Sequence, residues 1–226
     1  VTNRDDGGEL GRNNTSEQNA CRLGVSMALL VVGTRNRKKR EEIMEILAGL
    51  GLELKDLTDW PDAPEVVEDG TTFEENARKK AVELARHLGE WVLGEDSGLV
   101  VPVLNGRPDV HSARYAGKHG DDAANNARLL AELAPLPDDR RAAYYVCTAA
   151  LADPHGTVQA VTEGRCHGVI TREPRGTGGF GYDPLFLIPE YHQTFGELSA
   201  TVKHALSHRA RALAKLRPAL RRLLPT

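Results

Sequence analysis

Glu95 and Asp96 stand side by side behind Gly94 and are followed by Ser97 and Gly98. Two carboxylates beside a small hydroxyl offer hard oxygen ligands. Mg2+ typically takes one or two protein carboxylates, keeps several waters and binds substrate phosphates. An acidic turn between two strands accounts for the same residues without any chemistry, so the pair needs supporting groups elsewhere. The run Thr34-Arg35-Asn36-Arg37-Lys38-Lys39 is one candidate. It follows a buried strand and opens a helix, where backbone N–H groups, Thr and Asn side chains and cations can hold a phosphate. A capped helix start with a solvated basic turn is the plain alternative, but cations at that end oppose the helix dipole, which favours the anion site.

Two further stretches carry donors. Within residues 73–81, Asn76 and Lys80 lie four apart and share a helix face, where an amide and an ammonium can both meet phosphate oxygens. Glu75 is explained as the acid of a capping box with Thr72. Glu68 and Asp69, just before that helix, have no comparable structural role and are better candidates for a cation. Residues 176–184 place four glycines in six positions around Phe180, followed by Tyr182 and Asp183. An aromatic ring in a glycine frame suits a stacking platform for a base. Lys203 and Ser207-His208-Arg209 bring donors at the start of the last helix, with His208 readable as a cap, a core histidine or a donor to a ring carbonyl.

The elements that must position these groups follow from the hydrophobic pattern. Residues 28–32 form a β-rich run ending at Gly33, read as a buried strand near the start of a single domain over 27–226. Residues 1–26 hold six apolar positions and read as a disordered tail. Ile43, Ile46, Leu47 and Leu50 mark a helix, 52–54 a strand, 59–70 a loop, and Thr72 the cap of a second helix. Strands at 91–93 and 99–104 flank the acidic turn, and a helix covers 125–133. A hairpin of 144–152 and 157–163 turns at 153–156 and is extended by 164–170. A last amphipathic helix spans about 207–224, interrupted by Pro218. Helices alternate with strands early and strands cluster later, so the expected class is α/β with a mixed sheet.

At 226 residues, 40% apolar and 27% charged, the chain is long enough to bury a core. No unbroken apolar run is longer than that at 27–32, far short of the roughly 20 residues of a spanning helix. No signal-peptide pattern precedes that run. Cys21, Cys147 and Cys166 have no C-x-x-C spacing, so a reducing, cytoplasmic setting is expected. Neither a membrane nor a stable nucleic-acid partner is expected. The net charge of −3 hides a split, because residues 203–226 hold seven Lys/Arg and no acid. That tail is either a solvated helix face or a source of cations for a polyanionic ligand.

In chain order these segments resemble the inosine/xanthosine triphosphate pyrophosphatase family, over about residues 28–213. Its T-x-N-x-x-K is met by Thr34, Asn36 and Lys39, F-x-E-N-A-x-x-K-A by 73–81, and D-D-S-G-L by 95–99. S-A-R-Y-A-G is met by 112–117, G-F-G-Y-D-P-x-F by 179–186, T-F-x-E-L by 194–198, and S-H-R-x-x-A-L by 207–213. The resemblance implies an elongated fold of two lobes around a long mixed sheet, a substrate cleft between them, and a homodimer. It implies Mg2+-dependent hydrolysis of ITP, dITP and XTP to the monophosphate and pyrophosphate.

The same resemblance assigns roles. Asp96 is the catalytic carboxylate, binding metal and activating water; the second metal carboxylate is left open among Glu68, Glu75 and Glu95, with Glu68 the best placed. Thr34, Arg35, Asn36, Arg37, Lys38, Lys39, Lys80 and Ser97 hold the triphosphate. Phe180 stacks on the purine, with Gly181, Tyr182, Asp183 and Lys203 around it, and His208 and Arg209 donate to the 6-oxo group. Adenine carries a donor at that position, so ATP is expected to be rejected. Two departures stand out: Glu95 replaces the first Asp of the usual pair, and Asp109 replaces a frequent glycine after Pro108. Asp tolerates left-handed backbone, so an altered loop is expected rather than a lost site. Competing readings are a pyrophosphatase for pyrimidine or modified nucleotides and a nucleic-acid-binding module using the basic C-terminal helix.

Overall fold

The computed structural model describes residues 27–224, so the expected N-terminal tail lies outside the described residues. The strands are β1 (Leu29–Val32), β2 (Glu53–Asp56), β3 (Trp91–Val101), β4 (Gly106–Pro108), β5 (Ala142–Ala152), β6 (Val158–Ile170), β7 (Phe186–Ile188) and β8 (Gln193–Thr194). They make one open mixed sheet in the order β2-β1-β3-β5-β6-β7-β8, with β4 added to β3. Pairing is parallel among β2, β1 and β3 and antiparallel from β3 to β8. The helices are α1 (Arg37–Leu47), α2 (Phe73–Leu88), α3 (Asp122–Leu133), α4 (Ala200–Leu206) and α5 (His208–Leu223). This is the mixed α/β sheet that the pattern predicts.

Alternation along β3 decides which helix meets which residue. Leu93 joins a core with Leu30, Val32, Ile43, Cys147, Leu213 and Leu216, beneath α1 and α5. Val92 joins Val31, Ala77, Ala81, Leu84 and Ala150, beneath α2. Two glycines let the helices come close. A Cβ on Gly94 would strike the Ala77 carbonyl and stand 2.6 Å from the Ala81 nitrogen of α2, and one on Gly164 of β6 would strike backbone of His208 and Ala212 in α5.

The structure corrects several boundaries. The expected acidic turn at 94–98 does not exist: β3 runs unbroken through Glu95 and Asp96, paired residue by residue with β5. Gly94 serves helix approach rather than turning. The strand expected to reach 104 stops at Val101, where Pro102 begins a 3-10 turn. The helix expected at 125 starts at Asp122, because Asp121 caps it through the Ala124 amide. The segments 157–163 and 164–170 are one strand. Lys203 belongs to a separate helix, α4, and Ser207 ends α4 and caps α5. Helix α5 continues through Pro218, since Leu216 and Leu220 on either side are buried in the core.

Candidate active site

β1 pairs with β3 only as far as Leu93, after which the chain leaves through Gly33 into α1. β4 joins the same edge only from Val100 onward. Between them β3 has an unpaired edge, and side chains satisfy its backbone, as buried polar groups require. Lys80 Nζ donates to the Glu95 carbonyl at 3.0 Å, Ser97 N donates to Asp96 Oδ1 at 2.9 Å, and Leu99 N donates to Ser112 Oγ at 2.9 Å. A pocket of about 260 Å3 opens on this gap, at the carboxyl end of β1.

Asp96 faces α2. Asn76 Nδ2 donates to its Oδ2 at 3.0 Å, and Lys80 Nζ lies 3.6 Å from Oδ1. Asn76 is held in turn by Gly70 N, which donates to its Oδ1 at 2.8 Å. Burial, joined by repulsion from Glu68 and Glu95, raises the Asp96 carboxyl above its ordinary range against the pull of Lys80 and Lys39. Glu68, from the loop before α2, places Oε2 2.8 Å from Lys80 Nζ, so Glu68 and Asp96 converge on one cation. Among the described residues no three acids, histidines or cysteines form a metal cluster. Two carboxylates at a pocket wall are nonetheless the donor set that Mg2+ takes when phosphates and water complete its shell.

Glu95 faces α5 and α1 and is spent on scaffold. Arg209 Nη2 lies 2.8 Å from its Oε1, and Lys39 Nζ lies 3.1 Å from Oε2. Arg209 also pairs with Glu42 of α1 and donates to Ser97 Oγ at 3.0 Å. Lys203 Nζ bridges Glu42 and Asp183, at 2.7 Å to each. Burial alone would raise the Glu95 carboxyl; Arg209, Lys39 and Lys80 outweigh it and hold the group well below the usual range. Glu42 carried no signal beyond being an acid beside the apolar stripe at Ile43.

The pocket gathers most of the residues expected there: Thr34, Arg35, Asn36, Lys39, Glu68, Lys80, Asp96 and Ser97 on the α1 and α2 side, and Phe180, Gly181, Tyr182, Asp183, Lys203, His208 and Arg209 opposite. Arg37 and Lys38 are not among the lining residues. Arg37 is turned away into an exposed i,i+4 pair with Glu41 at 3.1 Å. Lys38 reaches the Gly179 carbonyl at 3.4 Å and stands 5.6 Å from the Phe180 ring. Asn36 is a cap, its Oδ1 accepting from Lys39 N at 3.1 Å.

Arg209 does not stand free as a donor to a base, because Glu42, Glu95 and Ser97 engage most of its N–H groups. His208 stacks on Tyr145 with ring centroids 4.7 Å apart, and its Nδ1 is buried without a hydrogen-bond partner among the described residues. Burial, reinforced by Arg209, lowers its pKa well below the ordinary histidine value, so the ring is neutral at pH 7. Asp183 accepts from Phe180 N at 2.8 Å and so shapes the glycine loop. Asp109 adopts φ 54°, the left-handed geometry its type tolerates, and its carbonyl accepts from Ser112 Oγ at 2.6 Å. The basic C-terminal stretch is divided. Lys203 and Arg209 enter the site, whereas Arg211, Lys215 and Arg217 donate to the Leu206, Glu163 and Ile46 carbonyls.

With this geometry in view, the Ham1 family model matches residues 30–219. The chain belongs to the Ham1 family. Its relatives include the dITP/XTP pyrophosphatase of Rhodopirellula baltica, 55% identical over 86% of this chain and 94% of that protein. The enzyme of the same description from Geobacter sulfurreducens is 53% identical over 84% of this chain and 96% of its own. Among solved structures, a HAM1 protein from Coxiella burnetii superposes with a TM-score of 0.78 at 38% identity, covering 86% of this chain and 98% of that one. The Ham1 match thus includes every residue that lines the pocket.

Proposed function

We propose that this chain is a nucleoside triphosphate pyrophosphatase that removes deaminated purine nucleotides, hydrolysing dITP, XTP and ITP to the monophosphate and pyrophosphate with Mg2+. The observation that carries this reading is Asp96, a buried carboxylate lining a pocket. The lysines Lys39 and Lys80 stand on one side of that pocket and the Phe180 ring on the other.

Lys39, Lys80 and the start of α1 bind the triphosphate, and Phe180 stacks on the base. A water oxygen bonds to the α-phosphorus, the bond from that phosphorus to the α,β-bridging oxygen breaks, and pyrophosphate departs. Asp96, at the pocket wall, accepts the water's proton. Asp96 and Glu68 would hold a Mg2+, which would supply neutralising charge at the phosphate oxygens. His208 is neutral and presents an imidazole rather than a cation to the base. The buried free thiols of Cys147 and Cys166 suit a reducing compartment such as the cytoplasm, and a homodimer is expected.

A turnover panel tests the reading. ITP, dITP and XTP should release pyrophosphate with Mg2+ and little without it, while dATP, dTTP and UTP should be poor substrates. Preference for dTTP or UTP would move the enzyme to pyrimidine nucleotides, and release of orthophosphate would place the cleavage at another bond.

A further inference from the structure

Helix α3 carries no group from the expected site, yet three of its polar side chains lie at i, i+3 and i+4 and reach both pocket walls. Asp122 Oδ2 accepts from Gly181 N at 2.8 Å, and Asn126 Nδ2 donates to the Gly181 carbonyl at 3.0 Å. Both backbone groups of the residue after Phe180 are therefore fixed by one helix. Asn125, fully buried, accepts from Ala116 N at 2.7 Å and donates to the Ala113 carbonyl at 3.3 Å, gripping the opposite loop. Tyr182 closes the ring by donating to the Ser112 carbonyl at 2.9 Å. Asp183 holds Phe180 N from the other side.

We propose that α3 is a positioning bracket: Asp122 and Asn126 fix the Phe180 loop while Asn125 fixes residues 112–117, and together they set the width of the base-binding part of the pocket. This rests on the pyrophosphatase reading. None of the three touches the phosphate side, where Asp96, Lys80 and Lys39 stand. The bracket therefore acts on recognition of the base and leaves the phosphate subsite alone.

The test uses the two products, IMP and pyrophosphate, as competitive inhibitors of ITP turnover by the full chain. Wild-type release of pyrophosphate from ITP checks the underlying reading independently of any α3 variant. Asn126 is half-buried on the helix and alanine is the better helix former, so Asn126→Ala keeps the fold. This variant should weaken IMP inhibition by about tenfold, the worth of a lost hydrogen bond, with pyrophosphate inhibition unchanged. Asp122→Asn retains an oxygen acceptor for Gly181 N and should behave as wild type, whereas Asp122→Ala should match Asn126→Ala. Because the bracket works through Phe180, the Asn126→Ala/Phe180→Ala double variant should bind IMP no more weakly than Phe180→Ala alone. Additive losses, equal weakening of IMP and pyrophosphate, or no weakening of IMP would each overturn the proposal.

Discussion

Glu95 and Asp96 are neighbours in sequence and opposites in the molecule. Toward α5 and α1, Glu95 lies in an ion network with Arg209 and Lys39, extended by Glu42, Lys203 and Asp183. Toward α2, Asp96 meets an amide, a backbone N–H and more distant lysines, and it opens on the pocket. Both carboxylates are almost wholly buried. The difference is what compensates that burial. On one face cations overcome desolvation and the acid is a scaffold; on the other desolvation and the neighbouring Glu68 and Glu95 outweigh the lysines, and the acid's pKa is raised. A one-residue step along a strand separates the two roles because successive side chains point to opposite faces.

The sharpest way to break this contrast is Asp96→Asn. Loss of a positioned general base costs about 10²–10⁴ in rate, so kcat for ITP should fall by at least a hundredfold, with an unchanged circular dichroism spectrum. Activity within tenfold of wild type would place the reacting group elsewhere. Glu95→Gln should fail in the other direction. It removes the charge that Arg209 and Lys39 share in the interior, and breaking a buried pair typically costs about 3–5 kcal/mol, roughly 10 °C of melting temperature for a domain of this size. A melting temperature within about 2 °C of wild type would show that the network does not need the Glu95 charge.

Much of this arrangement is legible in the sequence, and the misses share a cause. The mixed sheet, the α2 capping box and the gathering of Lys39, Lys80, Asp96, Phe180 and Lys203 all follow from local pattern and motif order. Reading Gly94 and Gly98 as turn residues hid the strand, since close helix approach and turning both call for glycine. That error put Glu95 and Asp96 at one site, when a strand reading would have set them on opposite faces. Arg209 was expected to face a base because nothing local announces Glu42, whose partners lie more than 160 positions away. Arg37 and Lys38 sit in the right run, but only the helix geometry shows which cation of that turn points inward. Asp122 and Asn126 are unremarkable helix residues until Gly181, more than 50 positions on, is brought beside them.

The smallest effect follows from the sign of the two pKa shifts. Glu95 is lowered, so its contribution is present above the ordinary glutamate value of 4.5 and is lost as pH falls through its depressed folded value. Asp96 is raised, so the opposite holds. Its protonated form favours folding fully below the ordinary aspartate value of 3.8, and that benefit disappears as pH rises through the raised value. At neutral pH the ionised Asp96 therefore costs stability, and a neutral isostere relieves it. In metal-free protein Asp96→Asn should melt above wild type at pH 7, while the two should converge as pH falls toward 3.8 and wild-type Asp96 itself becomes neutral. Melting curves across that range read the sign directly. A variant less stable than wild type at pH 7 would mean that Lys39 and Lys80 already compensate Asp96, as cations do for Glu95, and the two faces would differ only in what they open onto.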